Sequence, residues 1–223
     1  MKFIIKNDLW LEQILKKKCY YLIADKVKGK EFKTFPTGFI SCKLNPEDFK
    51  ESFYLQSKKF LYIDNQLTFS SKEKLNNKFK NCELAKKTDI SEILRLTSFL
   101  SNSRFHNDNN INIKQSNMIK EKWVSNFFLG LRGDGLVIYR GENSIEGFLL
   151  YLKEKKKIVI DLIVVDPKKR KKKIGKNMIY FLSNLHDNFT IQAGTQASNL
   201  IAIKFYQKVG FKLSSSKIIL HKS

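Results

Sequence analysis

The apolar positions of this chain switch several times between a period of two and a period near 3.6, and the switches outline its elements. KCYYLIADK (18–26) and TGFISCKL (37–44) run apolar over strand lengths and are bounded by Lys28-Gly29-Lys30, Pro36 and Asn45-Pro46, so strands are expected there. PEDFKESFYLQSKKF (46–60) has the spacing of a short amphipathic helix, and FLYIDNQLTF (60–69) that of one or two further strands. SSKEKLNNKFKN (70–81) is polar without a strong period and reads as a linker or an exposed helix. It divides the chain into a small α/β N-terminal domain over residues 1–75 and a second domain over 76–223.

CELAKK (82–87) reads as a strand. In TDISEILRLTSFL (88–100), Asp89 as N-cap and Glu92 three residues later announce a helix, with Ile90, Ile93, Leu94, Leu96 and Leu100 at helical spacing. KQSNMIKEKWVSNFF (114–128) gives another, with Met118, Ile119, Trp123 and Phe127 on one face. GLVIYR, SIEGFLLYLKE and KKKIVIDLIVVD then form an antiparallel meander in which Gly141-Glu142-Asn143 suits a hairpin turn. A helix follows from Ile174, burying Ile174, Met178, Phe181, Leu182 and Leu185. FTIQAGT is a strand, SNLIAIKFYQKVGF a helix closed by Gly210, and FKLSSSKIILH extended structure. This order predicts an α+β fold, a mixed and mainly antiparallel sheet flanked by helices.

Charge complicates the picture before it helps. The chain has 42 Lys and Arg against 21 Asp and Glu, a formal charge of +21. Such a field attracts anions, but only five of the basic residues are Arg, the side chain suited to bidentate phosphate and base recognition. A basic RNA-binding protein would interleave aromatics with Arg on one surface. Here the aromatics fall mostly at core-like positions, which disfavours nucleic acid as the partner. Cys19, Cys42 and Cys82 form no CxxC pair and no His lies at ligand spacing from them, so buried thiols are expected, with no metal. MKFIIKNDLW lacks a secretory pattern and no apolar run approaches the ~20 residues of a membrane span. A soluble, cytoplasmic protein is expected.

The densest charge sits in DLIVVDPKKRKKKIGKN (161–177), where seven of the nine residues from Lys168 to Lys176 are basic. A strand running into a turn and then a helix offers free backbone N–H groups at the helix start, backed by the positive end of the helix dipole. That arrangement binds phosphate without any particular side chain. A solvated, charged turn is the alternative from these residues alone.

VVDPKKRKKKIGKNMI resembles the acyl-coenzyme A loop of the GNAT superfamily of N-acetyltransferases, whose pattern is Arg or Gln, two variable residues, Gly, a variable residue, then Gly or Ala. Arg170 and Gly175 match the first and last positions, and Lys173 stands where the first Gly is usual. TQASNLIAIKFYQKVGF (195–211) resembles the same superfamily's later segment, with Asn199 opening a helix beside the pantetheine arm and Tyr206 aimed at the thioester sulfur. The resemblance implies acetyl-CoA as cosubstrate, held by Ile163, Val164 and Val165 on the strand, by Arg170, Lys171, Lys172, Lys173, Gly175 and Lys176 in the turn, and by Asn199. It also implies an oxyanion donor among the strand amides near Ile163 or Val164.

SNSRFHNDNNI (101–111), followed by Trp123 and Asn126, resembles the acceptor region of nucleotide-sugar amine acetyltransferases such as TDP-fucosamine acetyltransferase. Arg104 offers a fork for a phosphate or carboxylate and Phe105 an aromatic face. The alternative is that Phe105 belongs to the core and Arg104 pairs with a surface acid. His106, Asp108 and Trp123 complete the expected acceptor set. The implied reaction is direct attack of a sugar amine on the thioester, in surface polysaccharide assembly, with Tyr206 supporting the leaving thiolate and Asp161 the first candidate base. A protein N-terminus or another small amine is the alternative acceptor, and a homodimer is left open.

Overall fold

The computed structural model describes residues 1–25, 27–71, 75 and 78–223. Two units not foreseen in the pattern come first: β1 (Lys2–Asn7) and α1 (Leu9–Leu15), the latter capped by Asp8, whose carboxylate accepts from Leu11 N. Then follow β2 (Cys19–Ala24), a two-residue β3 (Lys30–Glu31), β4 (Phe39–Leu44), α2 (Phe49–Ser57) and a single long β5 (Leu61–Ser71). The expected linker begins inside β5, and its residues 72–74 and 76–77 lie outside the described residues.

The second half runs β6 (Cys82–Leu84), α3 (Ile90–Thr97), α4 (Ile113–Phe128), β7 (Gly135–Arg140), β8 (Ile145–Glu154), β9 (Lys157–Val165), α5 (Ile174–Leu185), β10 (Thr190–Gln196), α6 (Leu200–Val209) and β11 (Lys212–Lys222). Asp89 does precede α3, but its carboxylate accepts from Lys86 N and pairs with Arg140, while Glu92 accepts from Ile145 N. Both acids tie the helix start to neighbouring segments instead of capping it. Leu185 is exposed at the end of α5, a correction to its expected burial.

Among the described residues the strands join in one sheet of order β3-β1-β2-β4-β11-β5-β10-β9-β8-β7-β6. Two ladders are parallel, β2 with β4 and β9 with β10, and the others are antiparallel. The sheet crosses the expected division at residue 75: β5 lies between β10 and β11, and β11 joins β4.

Strand alternation sends successive residues to opposite faces. Val137, Leu149, Ile158 and Ile160 meet α5 and α6 on one face. Leu136, Ile138, Phe148, Leu150, Leu162 and Val164 meet α3 and α4 on the other. At the N-terminal end Leu22, Ile40 and Cys42 pack with Leu55 of α2, whereas Cys19 and Phe39 face α1, Ile119 of α4 and Phe105.

Candidate functional site

The alternation in β9 breaks at one point. Leu150 pairs with Leu162 and Tyr151 with Ile160, so Asp161 sits in a bulge. The extra residue re-aims the strand and increases its twist. The parallel ladder with β10 stops at the same place, its last pair being Ile160 with Ala193. Beyond it β9 continues through Val165 and β10 through Gln196 without pairing to each other, so the sheet opens into a cleft.

Which main-chain groups face that cleft follows from the outer ladder. Asp166 N donates to Glu146 O on the β8 side. Successive residues of a strand point their amides to alternate edges, so Val164 also donates toward β8, while Ile163 and Val165 turn theirs to the open edge. Arg170 Nε accordingly meets Val165 O at 3.5 Å from outside the sheet. Of the two amides expected as donor, that of Ile163 is the one that faces the open edge. Val164, with its side chain in the α3–α4 core and its amide engaged by β8, is a correction to the expected contact set.

At the end of β9 the chain enters the basic turn. Asp166 accepts from Lys168 N, and Lys169 N donates to Asp166 O. For the amides of Lys171 through Lys176 no acceptor is found among the described residues, and the helix ladder begins with Asn177 N to Lys173 O. Lys171 and Lys173 take left-handed backbone conformations, φ 66° and 63°. Alternating hand along a turn makes consecutive N–H groups converge, the arrangement of an anion nest, and the α5 dipole reinforces it. Gly175 is fixed by packing: a Cβ there would stand 3.0 Å from Phe205 Cζ of α6. Arg170, Lys171, Lys172 and Lys173 are exposed; Lys176 lies over the ring of Tyr180 at 5.1 Å.

α6 borders the cleft from the β10 side. Asn199 caps it, Oδ1 accepting from Ala202 N at 3.2 Å, which leaves its amide nitrogen for other contacts. Tyr206, two turns on, is 3% exposed and stacked on Phe69 at 5.8 Å. Its hydroxyl has no hydrogen-bond partner among the described residues, and burial pushes the phenol well above its usual range. Tyr206 is thus a neutral hydrogen-bond donor at physiological pH, and a weaker acid than a free phenol.

Asp161 forms a bidentate pair with Arg132, Nε–Oδ2 2.7 Å and Nη2–Oδ1 2.8 Å. Arg132 in turn lies 4.6 Å from the centre of the Trp123 ring, with Lys120 Nζ 4.1 Å from the same ring. Trp123 also stacks on Trp10 at 6.0 Å, so its faces are occupied by protein groups. Lys120 was not singled out in the sequence, because one lysine among so many carries no local signal. It is 7% exposed, makes no ion pair among the described residues, and is pushed down to about 7, first by burial and then by Arg104 and Arg132 against the pull of Asp161.

The segment 103–108 is more deeply built in than its polar sequence suggests. Phe105 is 1% exposed between Phe39 and His221, with the Arg104 guanidinium over its ring at 4.6 Å. It is a core residue, and the expectation of a free aromatic face is corrected. His106 is oriented on both sides, Nδ1 to Ser103 Oγ at 2.7 Å and Nε2 to Asn117 Oδ1 at 3.0 Å. An amide oxygen only accepts, so Nε2 carries the proton, and burial lowers the ring below the usual histidine range. With both nitrogens engaged, His106 has no free atom for an acceptor. Asp108, also 1% exposed, accepts from His221 Nδ1 at 2.7 Å and from Asn110 N at 2.9 Å. Burial alone would raise its carboxyl, but these hydrogen bonds prevail and hold it below the carboxylate range. Phe105 thus lies under Arg104, and Asp108 holds His221. Asn107 connects this loop to the cleft through Asp64 at 2.9 Å and Ser198 at 3.3 Å.

Residues 103–211 match the family model described as acetyltransferase (GNAT) family. The spore coat polysaccharide biosynthesis protein SpsD of Bacillus subtilis (strain 168) is 27% identical over 125 residues, which are 53% of this chain and 42% of SpsD. The similarity thus spans about two fifths of that relative's length. Among solved structures, a functionally unknown conserved protein from Staphylococcus epidermidis ATCC 12228 is similar with TM-score 0.66 at 13% identity, over 95% of this chain and 88% of its own. An acetyltransferase of the GNAT family from Colwellia psychrerythraea gives TM-score 0.58 at 12% identity, over 81% and 64%. At these identities the structures speak for the shared fold.

Proposed function

We propose, since residues 103–211 match the acetyltransferase (GNAT) family model, that this chain transfers an acetyl group from acetyl-CoA to a primary amine, and that the amine is carried by a nucleotide-linked sugar used in surface polysaccharide assembly. The observation that carries the first part is the run of six amides, Lys171 to Lys176, without acceptors among the described residues at the start of α5. They lie at the mouth of a cleft whose wall offers the amides of Ile163 and Val165. A diphosphate suits the turn, and a pantetheine arm suits the strand edge, which would take it as an added strand.

In the reaction, the amine nitrogen bonds to the carbonyl carbon, the oxyanion accepts a hydrogen bond from Ile163 N–H, and the C–S bond breaks as the thiolate leaves, while the proton lost by the nitrogen passes through solvent water and ends on that thiolate. Tyr206 donates a hydrogen bond to that sulfur. Its raised phenol makes complete proton transfer to a thiolate uphill, so the hydrogen bond is its contribution. Asp161, with both oxygens on Arg132, suits positioning of Arg132 and Trp123 better than proton abstraction. The sugar acceptor rests on the similarity to SpsD, named for spore coat polysaccharide biosynthesis, and on the resemblance of residues 101–111. Thiol release from acetyl-CoA, measured across a panel of nucleotide-linked amino sugars and simple amines, tests both parts. Turnover confined to simple amines would remove the sugar, and none with any amine would remove the transfer.

A further inference from the structure

The loop 101–112 and the N-terminal strands enclose polar groups that acetyl transfer leaves unused. Strand register fixes where they stand. Ser41 on β4 is paired with His221 on β11 and with Tyr21 on β2, and Lys43, two residues along, shares the face of Ser41. Phe39 is on that face too, its ring 4.8 Å from the His221 ring. The loop covers it: Phe105 stacks on His221 at 6.1 Å and carries the Arg104 guanidinium on its ring. Ser116 of α4 donates to Phe105 O at 2.9 Å, which sets Lys120, one turn later on the same helix face, beside the same segment.

What distinguishes these groups is that their partners are missing. Ser41 Oγ and His221 Nε2 are buried with no hydrogen-bond partner among the described residues, in residues 3% and 1% exposed. Arg104 and Lys43 make no ion pair among the described residues, because the nearby acids are committed. Asp108 holds His221, Asp8 caps Leu11, and Asp64 accepts from Asn107 and Ser198. Lys43 is pushed down to about 8, first by burial, then by the charges of Arg104 and Lys217. Half-buried cations that share a neighbourhood without a counter-ion are costly, and so are unpaired buried hydroxyl and imidazole groups. A ligand bearing an oxyanion supplies what all of them lack.

We propose that Lys43, Arg104, Ser41 and His221 form a binding site for an oxyanion, a phosphate or a carboxylate, flanked by a hydroxyl. The two cations and the Ser41 hydroxyl donate to the anion. His221, with its Nδ1 proton on Asp108, presents Nε2 as acceptor to the neighbouring hydroxyl. Placing this anion on the acceptor rests on the acetyl-transfer reading; the site itself does not. It gives the N-terminal strands a part in recognition, since Ser41 and Lys43 come from β4 and His221 from the strand beside it.

The test is calorimetric titration of the full chain with coenzyme A at saturation, so that the turn at 166–176 is already filled. Inorganic phosphate, pyrophosphate and glucuronate are titrated separately. The expected result is saturable binding of at least one probe. Lys43→Met or Arg104→Met should weaken it tenfold or more, and Ser41→Ala several-fold, with coenzyme A affinity unchanged. Binding of phosphate or pyrophosphate alone assigns the anion to a phosphate; binding of glucuronate alone assigns it to a sugar carboxylate. No binding by the wild type, or equal binding by the Lys43 and Arg104 variants, overturns the site. Melting temperatures identify a variant that fails to fold, and Ser41→Ala then decides, unchanged affinity counting against the site. A wild type that does not bind coenzyme A counts against acetyl transfer alone, because the probe titrations are still read.

Discussion

Arg132 grips Asp161 with two parallel hydrogen bonds and at the same time covers the Trp123 ring, linking the β9 bulge to α4. A carboxylate so held is a fixed point for its neighbours. Asp161→Asn should therefore leave turnover within about tenfold, since an amide keeps one of the two hydrogen bonds. Arg132→Met should cost about 1–3 kcal/mol of stability by leaving a part-buried acid unpaired, and should raise the acceptor KM as Trp123 loosens. Denaturant titration and steady-state kinetics read both effects. A loss of a hundredfold or more in kcat for Asp161→Asn, with unaltered melting, would return Asp161 to the role of base.

Lys173 has φ 63°, a conformation that glycine adopts freely and an L side chain resists. The strain is on the order of 1 kcal/mol. Lys173→Gly should relieve it, less what is lost to the greater freedom of glycine in the unfolded chain. The net expectation is a gain of about 0.5 kcal/mol and equal or tighter coenzyme binding. Lys173→Ala, which removes the charge and keeps the strain, should show neither gain. Weaker coenzyme binding in both variants would mean that the ammonium, more than the amide geometry, meets a phosphate.

The hydroxyl of Tyr206 has no partner among the described residues and burial pushes its phenol upward. Tyr206→Phe removes nothing the fold uses, so stability should hold or rise slightly while kcat falls and coenzyme affinity stays. The sign of the shift also fixes a pH expectation. An acid raised above its reference of about 10 stays protonated below that value, so no alkaline limb ending near pH 9 can come from Tyr206. Such a limb, if it persists in Tyr206→Phe, belongs to another group; if it vanishes, the phenol ionises more easily than its surroundings imply.

The local pattern conveyed the elements of the second half well, because most strands and helices there bury a face with a regular period, interrupted in β9 at the Asp161 bulge. The turn and the Asn199–Tyr206 spacing were equally legible, since their geometry is set by residues close in sequence. Phe105 was not. In SNSRFHNDNN it looks exposed, and it is buried by Phe39 and His221, brought from β4 and β11. The insertion of β5 between β10 and β11 depends on ladders between residues more than a hundred positions apart, and no local period announces it. Lys120 and His221 were hidden for the same reason: their meaning lies in the partners they lack, which only the packed chain reveals.

The buried cations and thiols set opposite limbs of a stability profile. Lys120, pushed down to about 7 chiefly by burial, gives up its proton in the folded protein while the unfolded chain keeps it to about 10.4. Between those values the unfolded state binds more protons, so stability rises with pH, by up to about 1.4 kcal/mol per pH unit for one group. His106 and His221, lowered by burial, act with the same sign below about 6.5. Cys19, Cys42 and Cys82 act the other way: burial pushes each up to about 12, whereas unfolded thiols ionise near 8.5. Above that value the folded state binds more protons and three thiols together outweigh Lys120 and Lys43. The expected profile is a maximum between about pH 8.5 and 9, read from denaturation midpoints taken between about pH 5.5 and 10. Lys120→Met should raise stability at pH 6 and flatten the rise from 7 to 8.5, with the alkaline fall intact. A rise of unchanged slope in that variant would mean that Lys120 keeps its proton on folding, and with it a counter-charge close enough to hold it.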